Sequence, residues 1–230
     1  MSTVDINDVP LTRKEVVARC RSLAATALVS LATVRLFCKN GGFANALQFH
    51  PIGMMIAFVM VLPDVATSFK RLQVKAKAST PVTKDVAERQ PLDAGLPRGE
   101  VILRHQLAAF AMELAAAGGF AAIEYVKITN GYPHLMSPHG VVGAMCGFAI
   151  LCQMVLGTLL RYVLTRGQPF YKTVVAAHKL TCLTIVVTSL MALVGGLLST
   201  SYAELMVPSS TVRATIALAS ICIAVAGLVV

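Results

Sequence analysis

Charge is what this sequence has least of. Asp, Glu, Lys and Arg together make up 13% of its 230 residues, while 56% are hydrophobic and the mean hydropathy is +0.72. So little charge over so much apolar surface excludes a water-soluble globular domain and points to an integral membrane protein. No cleavable signal peptide is expected either: Asp5, Asp8, Arg13, Lys14, Glu15, Arg19 and Arg21 precede the first apolar run, and no small-residue cleavage pattern follows it. The first apolar segment is therefore expected to stay in the mature chain. No disulfide framework is present either, since Cys38, Cys146, Cys152, Cys182 and Cys222 fall in or at the edge of apolar runs and Cys20 stands just before one. They read as packing residues. Low-complexity tracts and internal repeats are absent as well.

What is present is a set of long apolar stretches. A span needs about 20 mostly apolar residues to cross a hydrocarbon core of about 30 Å, and six such stretches run near 22–38, 46–69, 102–124, 139–164, 173–199 and 212–230. The fold class expected is all-α. A short tail, 1–21, precedes a six-helix membrane domain, 22–230, whose core helices lie in 46–200. The long connection 70–101, punctuated by Pro81, Pro91 and Pro97, is expected to be a loop.

The formal net charge of +9 is a topology signal and not the footprint of nucleic acid. Lys and Arg gather in the N-terminal tail, in 70–104 and in 161–172, on alternate connections, while the other side carries little more than Arg35, Lys39, Lys127 and Arg213. Under the positive-inside rule the basic side, and with it both termini, is expected to be cytoplasmic. Anion recruitment is a secondary reading of the same charge.

Four of the five histidines, His50, His105, His139 and His178, each stand near the start of a different apolar segment. An ionisable side chain within a bilayer is costly enough to be a functional-site hypothesis by default. Because helices alternate in direction, His50 and His139 share one depth and His105 and His178 the other. Two imidazoles from facing helices, at each of two depths, suit a b-type haem ligated on both faces, so the expectation is a central four-helix bundle holding two b haems. Gly118, Gly119, Gly157, Gly195 and Gly196 fall at the depth of the opposite pair, where small residues let a flat macrocycle approach the backbone. Close helix packing is the alternative use of those glycines. Asn130-Gly131 reads as a turn and Ser137-Pro138 as a helix start, so that His139 opens a helix and His134 stays in a loop.

These motifs resemble the eukaryotic cytochrome b561 family over roughly 46–200. The resemblance rests on Phe49-His50-Pro51 followed by Met54; on Asp64, fourteen residues after that His; on the basic Lys70-Arg71; and on Ser137-Pro138-His139-Gly140 with Gly143. His134, Leu135 and Gln153 make it most similar to the branch with the tumour-suppressor-type members. Its implication is transmembrane electron transfer from cytosolic ascorbate through two haem b groups to monodehydroascorbate or a ferric chelate, in a homodimer of an endomembrane or the plasma membrane. Gly140 replaces the aromatic residue often found after the fourth-helix His, and the 70–101 loop is long for the family.

With both axial positions filled by imidazole, only outer-sphere electron transfer is open. Lys70, Arg71, Arg104, Lys172 and Lys179 are the candidate contacts to anionic ascorbate, against the plainer reading that they snorkel as positive-inside residues. Tyr132, His134 and Ser137 are the candidates for the acceptor side, or else simply solvated loop residues. Of the acids, Asp64 and Glu113 lie within spans and Glu124 near the end of one; a hydrogen bond to backbone freed by Pro63 is the favoured role for Asp64. Two other functions stay open: a metal-ion transporter binding Zn or Fe directly through the histidines, and a haem-retaining subunit of a larger membrane assembly.

Overall fold

The structure, a computed structural model, describes residues 13–42, 45–66, 68 and 98–229. Among the described residues there is no strand, and six helices are long and apolar enough to span a membrane. We label them α1 (Arg13–Asn40), α2 (Ala46–Ala66), α3 (Arg98–Asn130), α4 (Pro138–Val163), α5 (Tyr171–Ser199) and, after the short α6 (Ser201–Met206), α7 (Ser210–Val229). Helix α1 reaches back into the stretch expected to be tail, and α3 runs past both ends of its expected span. Most of the 70–101 connection, Lys70 and Arg71 included, lies outside the described residues.

Local chemistry sets these boundaries. Helix α3 ends on Gly131, at φ +66°, where Gly131 N–H reaches Ile128 O and Tyr132 N–H reaches Lys127 O at 2.9 Å. This is the left-handed glycine cap that satisfies the last carbonyls of a helix. Helix α4 opens on Ser137, whose Oγ accepts Gly140 N–H at 3.1 Å, with Pro138 in the first turn. Such a cap contributes about 1 kcal/mol, and it fixes the turn on which His139 stands.

Helix α2 is less regular. A 3-10 turn (Ala46–Gln48) leads into it, and residues Ile56–Val61 widen into π-helical geometry, with Leu62 N–H reaching Ala57 O. Pro63 follows at once. A proline ring clashes with the carbonyl four residues back and leaves it without a donor, and a wider turn just upstream relieves both.

Helices α2 and α3 pack as one antiparallel hairpin and α4 and α5 as another. Ala57, Phe58 and Leu62 of α2, Met112 and Ala116 of α3, Cys146 and Ile150 of α4, and Ile185 and Val186 of α5 meet in one buried cluster at mid-membrane. Helices α1 and α7 pack against each other and against α2, and α7 also reaches α5. Arg21 of α1, 8% exposed, ion-pairs with Asp64 of α2, and Gly227 of α7 closes over both Arg21 and Pro63. The partner of Asp64 is thus a buried guanidinium, which the sequence placed in a solvated tail. At the other end Arg213, 6% exposed, donates to Val207 O at 2.8 Å and Pro208 O at 3.2 Å, fastening the end of α6.

Candidate functional site

Each of the four histidines stands on a different helix of the two hairpins. His50 (α2) meets His139 (α4) with ring centroids 6.0 Å apart and planes at 78°. At the other end His105 (α3) meets His178 (α5) at 6.4 Å and 66°. Both pairs bridge from one hairpin to the other, between helices with little direct backbone contact.

The rings are held from behind. His50 Nδ1 lies 3.0 Å from Gly119 O and His139 Nδ1 2.8 Å from Ala192 O. His105 Nδ1 lies 2.9 Å from Ser68 Oγ and 3.3 Å from Val65 O. An N–H on Nδ1 donating to such an oxygen fixes the tautomer and leaves Nε2 as the free lone pair, which is how metal-binding histidines are usually oriented. His178 differs: its Nδ1 is buried with no partner, and its Nε2 lies 3.3 Å from Gln153 Nε2.

The glycines serve the imidazoles. A Cβ on Gly196 would stand 3.1 Å from His139 Cε1, one on Gly195 3.6 Å from His139 Cβ, and one on Gly157 3.5 Å from His178 Cε1. Gly119 supplies the carbonyl for His50 and lets α2 approach, since a Cβ there would meet His50 O at 3.1 Å. Gly118 instead lines a shallow outer groove of about 490 Å³ between α2 and α3, with Phe49, Ile52 and Tyr125, and none of the four histidines borders it. Of the five glycines expected near the depth of the histidines, Gly196 is the one where an added Cβ would crowd an imidazole.

A b haem fits this donor set. Two imidazoles on opposite sides of one metal, each bound at about 2 Å and with the ring centre about 1 Å further on, have centroids about 6 Å apart. The observed 6.0 and 6.4 Å match, at both ends.

Around the pairs, the other candidate residues have mixed placements. Arg104, beside His105, is exposed and pairs with Glu100 at 2.8 Å. Lys172 and Lys179 are exposed on α5 at the same end. Lys70 and Arg71 fall outside the described residues. At the His50/His139 end, His134 Nδ1 pairs with Glu124 Oε2 at 2.8 Å, Tyr132 is exposed, and Ser137 Oγ is engaged as the α4 cap. Sequence reasoning missed Ser68 and the pairing of Glu124 with His134, and it quoted Gln153 without a role. An acid near a span's end and a loop histidine ten residues on were the available signal for the second of these.

Fold and composition together define an integral multi-pass membrane protein with paired histidines at both ends of a helical bundle. Residues 98–204 match the family described as eukaryotic cytochrome b561. That segment is similar to the family, whose members bind b haem and carry electrons in membranes. The matched segment, a little under half of the chain, takes in His105, His139 and His178, while His50 is joined to them by geometry alone. No curated protein matches the chain.

Proposed function

We propose that this chain moves electrons across the membrane between ascorbate on the cytosolic side and monodehydroascorbate or a ferric chelate on the other. His105 and His178 would hold one b haem near the cytosol, and His50 and His139 a second near the opposite face. The observation that carries this reading is the pair of imidazole couples, 6.0 and 6.4 Å between centroids, at opposite ends of one bundle. Held between two imidazoles, a b haem would supply reversible one-electron chemistry.

The protein's part is orientation and recruitment. The carbonyls of Gly119 and Ala192, and Ser68 Oγ, keep three rings in the tautomer that leaves Nε2 free to bind a metal. Gly196 leaves room for the ring of His139, where a Cβ would stand 3.1 Å from Cε1. Arg104, Lys172 and Lys179, together with Lys70 and Arg71, supply positive charge that attracts anionic ascorbate. The positive-inside rule supports placing that end, and both termini, in the cytosol. On the far side, Tyr132 and the His134/Glu124 pair are the polar groups an acceptor would meet.

Direct metal-ion transport finds less support. It calls for carboxylates or thiols gathered about the histidines, and among the described residues no three His, Cys, Asp or Glu side chains come together to hold a metal ion. An absorption spectrum with haem quantitation of the purified protein tests the proposal. Two six-coordinate b haems per chain, both reduced on adding ascorbate, are expected; bound zinc without haem, or haem that ascorbate leaves oxidised, would overturn it.

A further inference from the structure

The two histidine pairs are held by different kinds of group. At the His50/His139 end both Nδ1 atoms reach backbone carbonyls, of Gly119 and Ala192. At the His105/His178 end the nearest partners are side chains, Ser68 Oγ at 2.9 Å from His105 Nδ1 and Gln153 Nε2 at 3.3 Å from His178 Nε2. We infer that Ser68 and Gln153 are positioning residues that set the reduction potential of the His105/His178 site, and that they push it in opposite directions. The inference rests on the proposed haem ligation.

Ser68 makes a relay: its hydroxyl donates to Val65 O at 2.7 Å and accepts from His105 Nδ1–H at 2.9 Å. Drawing on the Nδ1 proton makes the imidazole a stronger electron donor, which favours ferric over ferrous iron and lowers the potential. Without the hydroxyl, His105 Nδ1 keeps the longer contact to Val65 O, at 3.3 Å.

Gln153 acts from the other side of its ring. Its amide nitrogen lies 3.3 Å from His178 Nε2, beside the atom whose lone pair an iron would take. Ligation through Nε2 would put the His178 proton on Nδ1, which here has no oxygen partner of the kind the other three histidines have. The buried Gln153 Oε1 and His178 Nδ1 both lack partners, so nothing else fixes this contact. An amide donor beside the ligating nitrogen, in surroundings of low dielectric, favours the form with one more electron and so raises the potential.

Redox titration of the purified, haem-loaded protein tests this, once with both histidine pairs intact and once with His139→Ala, which leaves the His105/His178 wave alone. Ser68→Ala should raise that wave and Gln153→Leu should lower it. Each is expected to change the reduced-to-oxidised ratio at fixed poise about fivefold, the equivalent of one hydrogen bond of about 1 kcal/mol. At 59 mV per tenfold for one electron, that is about 40 mV. Ser68→Thr should restore the native value, and Gln153→Glu should lower the wave further than Leu. The His50/His139 wave should stay in place throughout, because no side chain supplies its Nδ1 partners. Shifts of the same sign, no shift, or both waves moving together would overturn the inference, as would loss of the His105/His178 site in both Gln153 variants with the other wave intact. Absence of haem from the native protein would instead overturn the functional reading itself.

Discussion

Replacing His105 with Ala should halve the haem content, from two per chain to one, and leave the remaining haem with an unchanged six-coordinate spectrum. His178→Ala should do the same. The double variant His105→Ala/His178→Ala should lose no more than either single one, because under the proposed ligation both imidazoles serve one site and their losses do not add. Pairing His105→Ala with His139→Ala, by contrast, should remove both haems. Non-additivity within a pair and additivity between pairs follow from the 6.4 and 6.0 Å couples. In the first set, ascorbate reduction should slow sharply, since the site nearest the donor is the one lost. Haem quantitation on the four proteins and stopped-flow reduction check this; a full haem complement in His105→Ala, or ascorbate kinetics equal to the native protein's, would contradict the ligand assignment or the direction of flow.

The second large effect is expected at Gly53. A Cβ there would stand 2.7 Å from Ala115 O and 2.9 Å from Gly119 Cα, and both are backbone atoms that cannot swing away. Gly53→Ala gains about 1 kcal/mol in helix propensity, but forcing the two helices apart costs about 1–3 kcal/mol, and the strain falls beside the His50 anchor. Separation of α2 from α3 takes Gly119 O away from His50 Nδ1. The expected result is a lower melting temperature in detergent together with loss of the His50/His139 haem, while the His105/His178 haem stays. A native haem content and melting temperature in Gly53→Ala would show that the hairpin can yield at this point.

How much of this was readable from residues alone depends on the range of the interaction. Apolar length gave the six spans, and Ser137-Pro138 and Asn130-Gly131 gave the start of α4 and the end of α3, because such signals act within a turn or two. The depth of each histidine followed from its distance along a helix, which put the right two at each end. Partnership across helices was not readable. That Arg21 of α1 would be buried against Asp64, that Ser68 would sit behind His105, and that Gln153 would approach His178 all depend on how each helix is rotated about its axis. The apolar pattern of a span surrounded by lipid says little about rotation, because the outward face is as hydrophobic as the inward one. One signal was present: an acid such as Asp64 inside an apolar run implies a cation at its own depth, and Arg21 stands at the matching distance from the same face.

The π-helical turn of α2 between His50 and Ser68 acts as a phase correction. Each residue added to or removed from a helix turns everything beyond it by about 100°. If one residue were removed from 56–61 and the segment closed to a regular α-helix, His50 would keep its azimuth while Asp64, Val65 and Ser68 swung away from Arg21 and His105. Both ends of this one helix are therefore indexed to their neighbours by a single surplus residue. Its length in sequence, and not only its composition, is part of what aligns the two histidine pairs.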